Sequence, residues 1–425
     1  MEKDNLLFSY LNEETIRQNE GIELIASENF ASKHVRALCG SILTNKYAEG
    51  FPGKRYYGGC KHIDEIENRA IELVTKLFDC KYACVQPHSG TQANMIAYYA
   101  LLNTGDKILS LSLDEGGHLS HGSKVSFSSH YYNIDFYHLG SDGRIDYEAL
   151  RKKALEYKPN LILAGFSAYP FEIDYQKIKE VAKEVGAYFM VDMAHIAGLI
   201  AAHELTNPLK YADIVTSTTH KTLRGPRGGI VLTNDEEIIK KVNKACFPAL
   251  QGGPLENIIG AKAECFYEAL QPEYKEYIKQ VKRNTKACAD EFKRLGDLNS
   301  GTENHLFLLN TKVSFNLTGK EAQEKLEEIG ITLNKNMLPN DTEKPSVTSG
   351  VRIGFAAVTT RGASESDAIM IARIIDGYLK GNTTKEEAIV SVKKLTSAWK
   401  KIEEFKRKIW RFSQKFEQKT YIFKI

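Results

Sequence analysis

No apolar run in this chain continues unbroken by charge for the ~20 residues that a bilayer-spanning helix needs, which argues against a membrane protein. The amino terminus, Met1-Glu2-Lys3-Asp4-Asn5, lacks the apolar core and small-residue cleavage site of a secretory signal. Neither charge sign prevails: 57 Lys and Arg stand against 54 Asp and Glu, interspersed, so composition demands neither a nucleic acid nor a membrane surface as partner. A disulfide framework is missing too. Cys39, Cys60, Cys80, Cys84, Cys246, Cys265 and Cys288 are odd in number and scattered, which fits a reducing compartment and leads us to expect a cytoplasmic protein. Cys80 and Cys84 have no second Cys/His pair at matching ligand spacing, so they read as packing residues beside a strand, and no metal site is expected.

What is present is enough apolar residue, 42% of 425, to bury a large core divided among two or more domains. Between about residues 64 and 245, short β-rich runs alternate with amphipathic segments. The runs are Ala83–Gln86, Lys107–Leu111, Tyr131–Tyr137, Asn160–Ala164, Tyr188–Asp192, Asp213–Ser217 and Gly229–Leu232. Such alternation predicts an α/β fold with a mostly parallel sheet covered by helices on both faces. A helical stretch follows from Leu255 to Leu295, interrupted by Pro272, and then come strands at Leu306–Leu309, Thr332–Asn334 and Val351–Phe355 with helices between them. We expect an N-terminal arm over 1–45, a large domain over 46–270 and a smaller α+β domain over 271–425.

Ser217 to Gly229 is the most informative segment. It sets Lys221 beside His220 and a glycine-rich turn, in a segment that follows the mostly apolar run Ala212–Val215. Desolvation disfavours an ammonium, so a lysine held there is suited to attack an aldehyde and form a Schiff base. One strand earlier, Asp192 ends the run Ala187–Val191, at the edge where open α/β sheets place their ligands. Together the two match the division of labour in pyridoxal phosphate (PLP) enzymes, where a lysine carries the aldehyde and a carboxylate keeps the ring nitrogen protonated. Either residue alone is equally a strand-end cap or an ordinary lysine.

Other segments add to the pair. Ser89, Gly90 and Thr91 lie between a strand and a helix, where exposed amides and the helix dipole favour a phosphate, though hydroxyls there also simply cap helices. His118 sits among Gly116, Gly117 and Gly122, suited to stacking on a flat cofactor. Thr44 to Gly59 is rich in Gly and Pro yet holds Tyr47, Glu49, Tyr56 and Tyr57, an inventory that a purely structural loop does not need. Arg352, inside the apolar run Val351–Phe355, requires a partner, either an internal acid or a substrate carboxylate.

Taken together, from Ile22-Glu23-Leu24-Ile25-Ala26-Ser27-Glu28-Asn29 to Thr359-Thr360-Arg361-Gly362, the chain resembles the serine hydroxymethyltransferase family of fold-type I PLP enzymes, most specifically in the Asn45–Gly59 loop. The resemblance implies transfer of the serine hydroxymethyl carbon to tetrahydrofolate, with PLP held as an aldimine on Lys221. It implies that Asp192 pairs with the pyridine nitrogen, that His118 stacks on the ring, and that Ser167, His195 and His220 lie near the cofactor. Ser89, Gly90 and Thr91 would hold the phosphate, with Gly252 and Gly253 of a partner subunit. Arg352 and Ser27 would clamp the substrate carboxylate. Tyr47, Glu49 and Tyr57 would cross a homodimer interface, Glu49 as acid/base, while Tyr56, Leu113, Gly117, Leu119 and Asn336, with Glu49, would meet folate. A folate-independent aldolase for 3-hydroxy amino acids needs the same lysine, aspartate and arginine, but has no use for a pterin site.

Departures from the family pattern are Glu115, Thr342 to Ser346, and Phe355-Ala356-Ala357. From about 399 the tail is basic and aromatic, holding both tryptophans and the Lys406-Arg407-Lys408 cluster; a basic amphipathic helix suits RNA or a membrane surface, but the expectation is a helix packed on the small domain with a solvated face.

Overall fold

A computed structural model describes residues 3–402. Its central sheet has seven strands, in the order Tyr82–Cys84, Gly229–Thr233, Ile214–Thr218, Tyr188–Asp192, Leu161–Ala164, Lys107–Leu111 and Asn133–Tyr137. Only Gly229–Thr233 runs against its neighbours. All seven expected strands are present. The expected run Tyr131–Tyr137 begins later, at Asn133, because Phe127–Tyr131 closes a helical turn capped by the Tyr132 N–H on the Ser128 carbonyl.

Side chains alternate across this sheet as a period of two requires. Leu109, Ile162, Val191 and Val215 enter one core with Leu73, Val74 and Leu77 of helix Lys61–Phe78 and Ile178 of helix Tyr175–Val185. Their sequence neighbours Ile108, Leu161, Met190 and Ile214 enter a second core, with Ile96 of helix Gly90–Leu101 and Val242 of helix Glu236–Lys244. Both faces are covered, which is why the strands read as nearly continuous apolar runs.

The helical stretch after residue 255 is two helices, Glu256–Ala269 and Pro272–Arg294, the second opening with proline at its first position after an extended Gln271. A third core gathers Phe292, Phe307, Leu326, Val351, Ile353 and Ile371, and Ile22 and Leu24 from the start of the chain join it. Its sheet is antiparallel, in the order Leu306–Asn310, Gly350–Gly354, Asn334–Asn336. The expected strand Thr332–Asn334 is divided: Ile331–Thr332 pairs in parallel with Ile22–Glu23, and Asn334–Asn336 pairs with Gly350–Gly354. Trp399 is buried in this core and lies under the Arg361 guanidinium, 5.2 Å from ring centre to Cζ. Lys406, Arg407 and Lys408 lie outside the described residues, as does the rest of the expected tail helix. No helix among the described residues is long and apolar enough to cross a membrane.

Candidate active site

Five turns that leave the sheet on one edge supply the site. Ser89 follows Tyr82–Cys84, His118 follows Lys107–Leu111, Ser167 follows Leu161–Ala164, Asp192 ends Tyr188–Asp192, and Lys221 follows Ile214–Thr218. This is the carboxyl edge, where open α/β sheets bind ligands. Arg352, from strand Gly350–Gly354 of the smaller sheet, closes the opposite wall. The resulting cavity, about 380 Å³, is lined by Ser27, Ser89, Gly90, Thr91, His118, Ser167, Asp192, His195, His220, Lys221 and Arg352. It also takes in Glu28, His121, Phe166, Thr218 and Arg227, which sequence reasoning did not assign.

Asp192 is held by three donors. Asn94 Nδ2 and His121 Nε2 donate to Oδ2 at 2.9 and 3.0 Å, and the Ala194 N–H donates to Oδ1 at 3.0 Å. Burial on its own favours the neutral acid, but the His121 hydrogen bond, with the electrostatic pull of His121 and Lys221, outweighs it and holds the carboxyl well below its ordinary range. Asn94 is fixed in turn, because Thr216 Oγ1 donates to its Oδ1 at 2.6 Å and its Nδ2 also reaches Ser120 Oγ at 2.9 Å. Ser120 carries the network to His118, its hydroxyl and its backbone N–H meeting Nδ1 at 2.7 and 3.2 Å. Accepting at Nδ1 places the proton of the neutral His118 ring on Nε2. Gly165 makes room for Asp192: at φ +103°, a Cβ there would fall 1.8 Å from the Asp192 carbonyl oxygen.

Lys221 is 8% exposed, and its Nζ makes no hydrogen bond or ion pair among the described residues. Burial lowers its pKa from 10.5 to about 8; Asp192 opposes that shift, while Arg352 and Arg227 add to it. The surrounding imidazoles are neutral for the same reason. Burial takes His118 down to about 4 and His220 to about 3, and holds His195 well below its ordinary value. His195 Nδ1 lies 3.4 Å from His305 Nε2, a buried histidine with no sequence signal to mark it.

Arg352 Nε donates to Asn334 Oδ1 at 3.2 Å and Nη1 to the Ser167 carbonyl at 2.6 Å. No carboxylate among the described residues forms an ion pair with it, and burial lowers its pKa only to about 10, so it remains a cation. Of the two partners that the sequence left open, an internal acid is therefore absent from the described residues.

The cavity fits PLP. An amine with no partner among the described residues stands in one cavity with a buried anion fixed by three donors, and helix Gly90–Leu101 points its N-terminus into the same space. At that terminus Ser89 Oγ accepts from the Gln92 N–H at 3.2 Å, so its hydroxyl caps the helix. A Cβ on Gly90 would meet Thr218 Cγ2 at 2.6 Å, which keeps the backbone bare where a phosphate would approach.

The remaining expected residues lie elsewhere. Tyr47 donates from its hydroxyl to Glu49 Oε1 at 2.9 Å, and the Tyr47 and Tyr57 rings meet edge to face at 5.0 Å. A Cβ on Gly253 would lie 3.0 Å from the Tyr47 ring, and one on Gly252 3.3 Å from Glu49 Oε1. Tyr47, Tyr56 and Tyr57 are exposed, and Tyr56 packs on Phe247. These residues form a patch outside the walls of the Lys221 cavity. Leu113 and Leu119 are exposed on turns either side of Gly117, where a Cβ would meet the Leu111 carbonyl at 2.3 Å, and Asn336 ends strand Asn334–Asn336. Glu115 bonds His138 Nδ1 at 2.9 Å.

Residues 1–375 match the family model described as serine hydroxymethyltransferase. The chain is 53% identical over 402 residues to a serine hydroxymethyltransferase of Lactobacillus gasseri, an alignment covering 93% of this chain and 97% of that protein. It is 54% identical over 379 residues to a serine hydroxymethyltransferase of Lactobacillus johnsonii, covering 88% and 92% respectively. This chain, similar throughout and with a lysine and a carboxylate on one sheet edge facing an arginine across a single cavity, belongs to the serine hydroxymethyltransferase family.

Proposed function

We propose that the Lys221 cavity is the seat of the family's reaction in this chain, and that a second copy of the chain completes it. The chain is a PLP-dependent enzyme that transfers the hydroxymethyl group of serine to tetrahydrofolate, leaving glycine and methylenetetrahydrofolate. When bound, PLP supplies an aldehyde for amino groups and a protonated ring that accepts electrons from a broken Cα bond.

The protein's own residues do the rest. Lys221 Nζ would hold the cofactor through its aldehyde, and its lowered pKa leaves a useful fraction of free amine near neutral pH. Asp192, with its charge fixed by Asn94 and His121, keeps a proton on the ring nitrogen. His118 offers a neutral face for stacking, His195 and His220 line the cofactor without adding charge, and Ser89, Gly90 and Thr91 hold the phosphate. Ser27 and Arg352 would orient the amino-acid carboxylate, and so set which Cα bond the bound cofactor weakens. Glu49 of a partner subunit moves the proton at the serine hydroxyl, with Tyr47 and Tyr57 beside it, and Gly252 and Gly253 arrive from that same subunit. Folate lies against Tyr56, Leu113, Gly117, Leu119 and Asn336. The seven cysteines are all free, which supports a reducing, cytoplasmic setting.

One observation carries the substrate assignment: Arg352 is a buried cation in the Lys221 cavity with no acidic partner among the described residues. Arg352→Lys keeps the charge but loses the planar fork, so the KM for serine should rise about 10- to 100-fold while PLP affinity stays unchanged. An unaltered KM would remove Arg352 from substrate binding.

A further inference from the structure

Lys262 is among the most buried charged side chains of the protein, 1% exposed, and lies outside the cavity just described. It comes from helix Glu256–Ala269, which starts three residues after Gly253. Its Nζ donates to the carbonyls of Val85, Pro87 and Gly229 at 2.7, 2.9 and 2.9 Å. An ammonium has three donors, and all three are used on backbone oxygens. No carboxylate among the described residues pairs with it.

The three carbonyls belong to two neighbouring segments of the sheet edge, each leading to or from a turn that lines the cavity. Val85 and Pro87 lead directly into the Ser89–Thr91 turn, and Gly229 follows the Lys221 loop. The Gly229 N–H also donates to the Pro87 carbonyl, at 3.0 Å, so the segments meet at two points. Gly228 is shaped to the side chain, since a Cβ there would lie 2.4 Å from Lys262 Cε. The Lys221 loop is closed by bonds of its own, from the Thr219 N–H to Gly228, the Gly225 N–H to Thr219, and Thr219 Oγ1 to Pro226. Lys262 is therefore not needed to form that loop. What it fixes is where the turn at Ser89 sits relative to it.

We propose that Lys262 is a positioning residue that clips the phosphate-binding turn to the Lys221 loop, so that the aldehyde end and the phosphate end of PLP are held in register. The proposal rests on the reading of Ser89, Gly90 and Thr91 as the phosphate site. Its signature is selective: loss of the clip weakens binding through the phosphate and spares binding through the aldehyde. A loosened fold would weaken both.

The test compares dissociation constants of PLP and of pyridoxal, which lacks the phosphate, for the cofactor-free protein and for Lys262→Met. The variant should bind PLP about 10- to 100-fold more weakly, while pyridoxal changes by less than about threefold. Equal losses for both ligands, or no loss for either, would overturn the proposal. If the unsubstituted protein binds PLP no better than pyridoxal, the phosphate reading itself fails. If it discriminates and Lys262→Met discriminates equally, only the role of Lys262 fails. Should Lys262→Met not fold, Lys262→Gln retains two donors and should show the same selectivity at about 3- to 10-fold. Failure of both variants to fold would contradict a positioning role, since the residue would then hold up the domain rather than the turn.

Discussion

At the scale of single residues, the site works by keeping one charge and removing others. Asp192 remains an anion because three donors converge on it, whereas Lys221 and three histidines are pushed toward neutrality by burial. The sign for Lys221 is definite: with its pKa lowered to about 8, the reactive free amine prevails above that pH and is lost below it. The rate at which the cofactor-free protein captures PLP should therefore fall about tenfold per pH unit below 8 and level off above it, as stopped-flow absorbance would record. A profile still rising toward 10.5 would mean an ordinary, solvated lysine. Asp192 and Arg352 were legible in the sequence because each is a charged group at the end of or inside an apolar run, and Lys221 because it sits between a histidine and a glycine-rich turn just after a strand. Asn94, His121 and His305 were not, since a polar residue on a helix or turn carries no mark of what it faces until the fold brings Asp192 or His195 to it.

At the scale of elements, the parallel strands decide which turns converge. Strand periodicity gave seven runs, and the sheet realises all of them, because fully buried strands declare themselves as apolar segments bounded by Gly, Asp and Asn. The order of the strands was not readable, nor was the split of Thr332–Asn334, which depends on Ile331–Thr332 finding a parallel partner in the arm at Ile22–Glu23. Close approaches between elements were likewise silent. Gly165 is the sharpest of these, since its missing side chain lets the turn after Leu161–Ala164 lie against the end of the Asp192 strand. Gly165→Ala should cost at least about 2 kcal/mol, from a positive φ and a collision with the Asp192 backbone. Chemical denaturation of the cofactor-free protein measures it, and a change within error would show that the turn gives way freely.

At the scale of the whole molecule, one chain presents two separate groups of the expected site residues. The Lys221 cavity lies on the sheet edge, and the exposed Tyr47 and Tyr57 form a patch with the half-buried Glu49, with Gly252 and Gly253 beside them. The resemblance read from the sequence assigned both the Tyr/Glu loop and the glycine pair to a partner subunit, and their proximity in one patch supports a shared origin. A twofold pair in which each copy lends this patch to the other's cavity would make two complete sites. The most direct measurement is serine-dependent formation of methylenetetrahydrofolate by subunits co-expressed with different tags, one carrying Lys221→Ala and the other Glu49→Gln. Each variant alone should be inactive in folate-dependent transfer. In the isolated mixed dimer one site has both defects and the other has none, so half of its sites, or about a quarter of all sites in a random mixture, should recover the rate of the unsubstituted enzyme. No recovery in the mixed dimer, or undiminished transfer by Glu49→Gln alone, would contradict the account.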